Sequence, residues 1–155
     1  MPPVDHTPTA PPRDADALVE IEAIKQLKAR YFRLMDCQLW DEWEQVFMPD
    51  ATLQWGPSED QVMHGRDAIR AGVSGSLRGA TTVHHGHMPE IELLSDDRAR
   101  GIWAMFDRVD HPDYLLIGLG HYHEEYARED GVWRIASLVL TRLYEERTPK
   151  EGAGA

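Results

Sequence analysis

Two side chains in this sequence have the chemistry of a proton-transfer pair, Asp36 and His84. A neutral imidazole takes a proton near neutral pH and a carboxylate orients it, so the two would form a general-base dyad if the fold brings them together. Asp36 lies near the end of a helical pattern, where a negative charge opposes the helix dipole by about 0.3–1 kcal/mol. Helix stability therefore gives no reason for it. His84 sits in Thr-Val-His-His-Gly-His, with three histidines within four positions. Each of these residues alone also fits an ordinary solvated or structurally satisfied side chain. A metal site is a further reading of His84, His85, His87, His121 and His123, because in a strand His85 and His87, or His121 and His123, share a face. No CxxC, HExxH or carboxylate motif accompanies them.

Three more side chains are candidates for company. Asp107 falls on the strand face of Trp103 and Met105, and Arg142 on the face of Leu138 and Leu140. Turned inward, each charge is costly to bury without a partner or a function. A structural ion pair and a place in a pocket both remain open. Tyr31 is either core filler by periodicity or a phenol donor to a substrate oxygen. No GxSxG, Gly-rich phosphate loop or GxGxxG following a strand is present.

The elements that must position these residues follow from periodicity. Leu18, Ile21, Ile24, Leu27, Tyr31 and Leu34 recur at helical spacing, with Asp14 or Asp16 available as the cap. Asp41 and Glu44 have capping-box-like spacing and predict a second, short helix. The alternation Ala51, Leu53, Trp55 after Pro49-Asp50 predicts a strand, a short return strand lies near Gln61–His64, and Arg66–Leu77 reads as a third helix. Turn signals at Ser95-Asp96-Asp97, Asp110-His111-Pro112-Asp113 and Asp130-Gly131 divide residues 81–145 into four consecutive antiparallel strands. Helices first and a meander afterwards give an α+β domain, with helices on one face of a curved sheet.

The working domain is expected over residues 15–147, flanked by tails at 1–14, with five prolines, and 148–155. Twenty-seven acidic against sixteen basic residues, a net charge of −11, disfavour nucleic acid and anionic membranes as partners. Neutral, apolar small molecules suit this field better. The single cysteine, Cys37, agrees with a reducing compartment and reads as a small packing residue. The N-terminal run lacks the basic and apolar regions of a secretory signal, and no stretch approaches the ~20 apolar residues of a membrane span. The expected location is cytoplasmic.

The runs EIEAIKQLKARYFRLMD, WDEWEQVFMPDA, HHGHMPEIE and YAREDGVWRIASLVLTRLYEE together resemble the SnoaL-like polyketide cyclase and dehydratase group of the nuclear-transport-factor-2-like superfamily. Within it they are most similar to bacterial bile-acid 7α-dehydratases, over roughly residues 18–147. The resemblance implies a cone of three helices and a strongly curved mixed sheet around one deep apolar pocket. It also implies functional positions at Tyr31, Asp36, His84, Asp107 and Arg142, while Trp55 stands where the bile-acid enzyme has a second pocket tyrosine. The implied activity is a dehydratase-type elimination on a hydrophobic, cyclic substrate, with ketosteroid-type isomerisation or noncatalytic ligand binding as rivals. No metal or organic cofactor is implied, and the implied assembly is a homo-oligomer, trimer favoured over dimer.

Overall fold

The apolar repeat ending at Leu34 forms helix α1, Ala15–Asp36, in the computed structural model, which describes residues 14–151. Asp14 caps it by accepting the Asp16 N–H at 2.8 Å. Ile24, Leu27, Tyr31 and Leu34 are buried as their spacing predicts, joined by Lys28 and Met35. Leu18 is exposed instead, because the buried stripe begins only at Ile24. Cys37 is also exposed; it ends α1, its N–H donating to Arg33 O at 3.0 Å, and packs in no core.

Helix α2 is Trp40–Trp43, continued by a 3-10 turn at Glu44–Val46. It starts before Asp41, with Leu39 at the cap position, so Asp41 is not the expected cap. Asp41 pairs instead with Arg70 of α3, Arg66–Ser76. Strand β1 is Phe47–Gln54 and β2 is Val62–His64. Pro49-Asp50, expected to precede β1, lie inside it where the register shifts between Phe47 and Thr52. An irregularity of that kind tolerates a residue lacking an N–H.

The four strands expected beyond residue 81 are β3 Thr81–Leu93, β4 Arg98–Asp110, β5 Tyr114–Glu129 and β6 Val132–Pro149. The sheet order is β2-β1-β6-β5-β4-β3, with β1 and β6 parallel and all other neighbours antiparallel. This is a curved mixed sheet with α1 packed on β3 and β6, and α3 on β1 and β2. Burial alternates along β4, so Trp103, Met105, Asp107 and Val109 share the inner face. The expected tail at 148–155 needs correction, since Thr148 and Pro149 pair with Leu115 and Tyr114 and the strand passes the predicted end at 147. The tail expected at 1–14 lies outside the described residues except for Asp14, as do residues 152–155.

The β5–β6 register shifts between Leu119 and Gly120, so that Gly120 faces Arg142 and Leu119 faces Tyr144, with Leu143 as the extra residue. A Cβ at Gly120 would lie 1.9 Å from the Thr141 carbonyl oxygen, a backbone atom that cannot swing aside. Gly120→Ala should therefore cost at least about 2 kcal/mol. Urea denaturation would measure it, and a midpoint matching wild type would contradict the close approach.

Candidate active site

Asp36 is the last residue of α1, and Thr82 and His84 lie at the start of β3, so the dyad stands at the junction of helix and sheet. The Asp36 carboxylate accepts three hydrogen bonds: His84 Nδ1–H to Oδ1 at 2.7 Å, His84 N–H to Oδ2 at 2.9 Å and the Thr82 hydroxyl to Oδ1 at 2.8 Å. Burial raises the energy of the ionised carboxylate, but the His84 side-chain and backbone bonds, its charge and Thr82 outweigh it, holding Asp36 below its ordinary value. The same bonds offset the unfavourable dipole at the helix end. His84 is buried, 8 % exposed, whereas Asp36 is 23 % exposed. With Nδ1 donating to the carboxylate, the basic nitrogen is Nε2, which no described residue engages.

His84 is directly opposite Asp107 in the β3–β4 register, which puts both on the inner face. Asp107 is buried and receives both guanidinium nitrogens of Arg142, Nη1 to Oδ1 at 3.0 Å and Nη2 to Oδ2 at 2.8 Å. Arg142 Nε also pairs with Glu145 at 3.0 Å. Burial disfavours the Arg142 charge, but the bonds and charge of Asp107 more than compensate, and the guanidinium is held charged. Space for the pair comes from Gly118, where a Cβ would lie 1.8 Å from Arg142 Nη1 and 2.0 Å from Asp107 Oδ1.

Tyr31 is buried within a ring cluster, 5.3 Å from Phe32, 5.6 Å from Trp43, 6.0 Å from Phe47 and 6.2 Å from Tyr122 between centroids. Beneath it lies a polar network that the sequence reading misses. Lys28 and Glu124 form a fully buried ion pair, Tyr126 donates to Glu124 Oε2 at 2.5 Å, and Trp103 Nε1–H donates to the Tyr126 hydroxyl at 2.9 Å. A signal exists: Lys28 lies four residues after Ile24 and three before Tyr31, on the apolar stripe, and Glu124 shares the face of Tyr122 and Tyr126. Desolvation lowers the Lys28 pKa despite Glu124.

The structure thus brings Asp36, His84 and Thr82 together, and Asp107 with Arg142, with Tyr31 in the same interior. His85, His87, His121 and His123 sit on the opposite face of β3 and β5. His85 and His87 are 5.7 Å apart by ring centroid and His121 and His123 6.1 Å, and His123 Nε2 meets Thr141 Oγ1 at 3.0 Å. Among the described residues no group of three or more His, Cys, Asp or Glu is arranged to hold a metal ion. Trp55 lies beyond β1 and is 43 % exposed. A surface cleft of about 520 Å³ near the start of α1, lined by Glu20, Leu94, Arg128 and Trp133 among others, includes none of the candidate residues.

Residues 16–139 match the family described as the SnoaL-like domain. A protein of Gibberella zeae named "Probable cyclase FGR4" is 25 % identical over 134 residues, covering 78 % of this chain and 89 % of its own. A structure from Novosphingobium aromaticivorans provisionally designated scytalone dehydratase superposes with a TM-score of 0.76 at 22 % identity, covering 90 % of this chain and 97 % of that one. The hexachlorocyclohexane dehydrochlorinase LinA-type3 of Novosphingobium barchaimii gives 0.71 at 21 % identity, covering 88 % and 94 %. The two structural likenesses speak for the fold.

The depressed Asp36 pKa has a consequence for stability. A carboxyl held below its unfolded value stabilises the fold above that value, 3.8, and loses this contribution as pH falls through the folded value. Melting temperatures of wild type and Asp36→Asn should differ by a constant amount at pH values well above 3.8 and converge below it. A gap that widens in acid would contradict the direction of the shift.

Proposed function

The chain belongs to the SnoaL-like domain family, and from that premise we propose that it is a cofactor-free lyase of dehydratase type. It acts on a hydrophobic, cyclic substrate bearing a carbonyl or phenolic oxygen. The observation that carries the reading is the clamp on His84, whose Nδ1 is held 2.7 Å from an ionised Asp36 so that Nε2 is left as the base. His84 Nε2 removes a proton next to the carbonyl, and Asp36 stabilises the imidazolium that forms. The C–H electron pair passes into an enolate, whose collapse forms the double bond and expels the leaving group from the next carbon. Tyr31 donates to the oxygen that gains charge, and Arg142, oriented by Asp107, meets the leaving group or an acidic substituent. An enolisable substrate supplies its own electron sink, so this chemistry requires neither metal nor organic cofactor. The cyclase, dehydratase and dehydrochlorinase names among its relatives agree with a reaction of this type.

The working form is a cytoplasmic homo-oligomer, trimer favoured over dimer. Exposed Leu119, Leu143 and Tyr144 near the β5–β6 bulge support self-association, and a monomer by sedimentation at micromolar concentration would refute it.

Proton abstraction can be tested before the natural substrate is in hand. Hydrophobic cyclic ketones incubated with the protein in deuterated water should take up deuterium beside the carbonyl, followed by proton NMR. His84→Ala should slow this exchange by about 10²- to 10⁴-fold, the usual share of a general base. A variant that keeps more than half of the wild-type rate would sink the mechanism. With a substrate carrying a β-hydroxyl, loss of water in the product mass supports elimination, while an unchanged mass with a shifted double bond identifies isomerisation.

A further inference from the structure

Tyr31 and Tyr122 are 4 % and 3 % exposed, yet neither hydroxyl makes a hydrogen bond among the described residues. Buried phenols ordinarily find a partner, since an unsatisfied buried hydroxyl is costly. Neither oxygen is among the polar atoms that are both sealed from solvent and unpartnered, so neither is completely closed off. The two rings cross at 72° with centroids 6.2 Å apart. Tyr122 stands opposite Trp103 of β4 and Leu140 of β6, on the inner face of the sheet that also carries Asp107 and Glu124.

Lys28 lies under both. Its ammonium is 3.9 Å from the centroid of Tyr31 and 3.8 Å from that of Tyr122, with Glu124 as its ion-pair partner. A desolvated cation against the faces of two phenol rings holds both in place and favours the rings carrying more negative charge. Burying a Lys–Glu pair is a costly way to fill an interior that Leu or Met could fill.

We propose that Tyr31 and Tyr122 form a paired donor site for one substrate oxygen that carries negative charge, an enolate or phenolate, with Lys28 as the positioning residue beneath both rings. The inference rests on the reading of this interior as a proton-abstraction site and deepens it. Tyr122 becomes a second substrate-touching donor, and the substrate class narrows to compounds whose oxygen is, or becomes, conjugated and anionic. Two donors converging on one oxygen stabilise it more as charge builds than before, which is the differential binding that a rate increase requires.

The probe is a series of substituted 2-naphthols of graded acidity, whose absorption reports how much of the bound molecule is naphtholate. Wild type should bind them more tightly as their acidity rises. Tyr31→Phe and Tyr122→Phe each remove only a hydroxyl and should weaken binding about tenfold or more, the loss expected for a bond to a charged oxygen. The double variant Lys28→Met/Glu124→Gln leaves no unpaired buried charge and should still bind but with a smaller bound-naphtholate fraction. Should it fail to melt cooperatively, Lys28→Gln/Glu124→Gln replaces it. Wild type that ignores every naphthol, or Tyr122→Phe that binds like wild type, overturns the paired site, and an unchanged naphtholate fraction in the double variant overturns the role of Lys28. His84→Asn should bind naphthols normally while losing deuterium exchange. Intact naphthol binding in a wild type that shows no exchange would thus count against proton abstraction and leave the phenol pair standing.

Discussion

The carboxylate of Asp36 ties the end of α1 to the start of β3, and the geometry of the interior follows from that junction. One oxygen takes the imidazole and a hydroxyl, the other a backbone N–H, so the group closes a helix end, anchors a strand and sets a tautomer at once. A carboxylate at a helix C-terminus is unfavourable in isolation. Here three donors from the sheet reverse the balance. The residue that helix propensity least explains is the one that joins the two layers.

A second constraint is the amount of charge inside the fold. Lys28–Glu124 and Asp107–Arg142 are both largely withdrawn from water, and each is satisfied by bonds as well as by Coulomb attraction. Such pairs contribute little net stability, but removing one partner leaves a buried charge, at about 3–5 kcal/mol. Their value is positional. They fix polar atoms at known points in an interior otherwise made of rings and aliphatic chains, and a preorganised polar interior is what stabilises developing charge.

Periodicity made most of the framework legible. The stripe from Ile24 to Leu34 and the three turn signals beyond residue 93 read directly as α1 and four strands, because helical and strand patterns are local. Pro49-Asp50 misleads because a register irregularity in β1 absorbs the proline, and Asp41 because a capping spacing also fits a surface ion pair. The separate members of the site were visible as residue types, and the family pattern selected His84 from its neighbours. Their joining was not visible, since Asp36 and His84 are 48 positions apart and Lys28 and Glu124 are 96 apart. A lysine on an apolar stripe reads as a surface residue until the strand that carries its partner folds over it.

The extra residue at Leu143 has a broader meaning. Side chains alternate strictly along a strand, so one added position reverses which of them face inward beyond it. Arg142 and Glu145, three apart, can meet over the interior only because the alternation is broken between them, while Tyr144 is turned outward. Gain or loss of a single residue in β6 would therefore exchange inward for outward side chains along the rest of the strand, with every other amino acid retained.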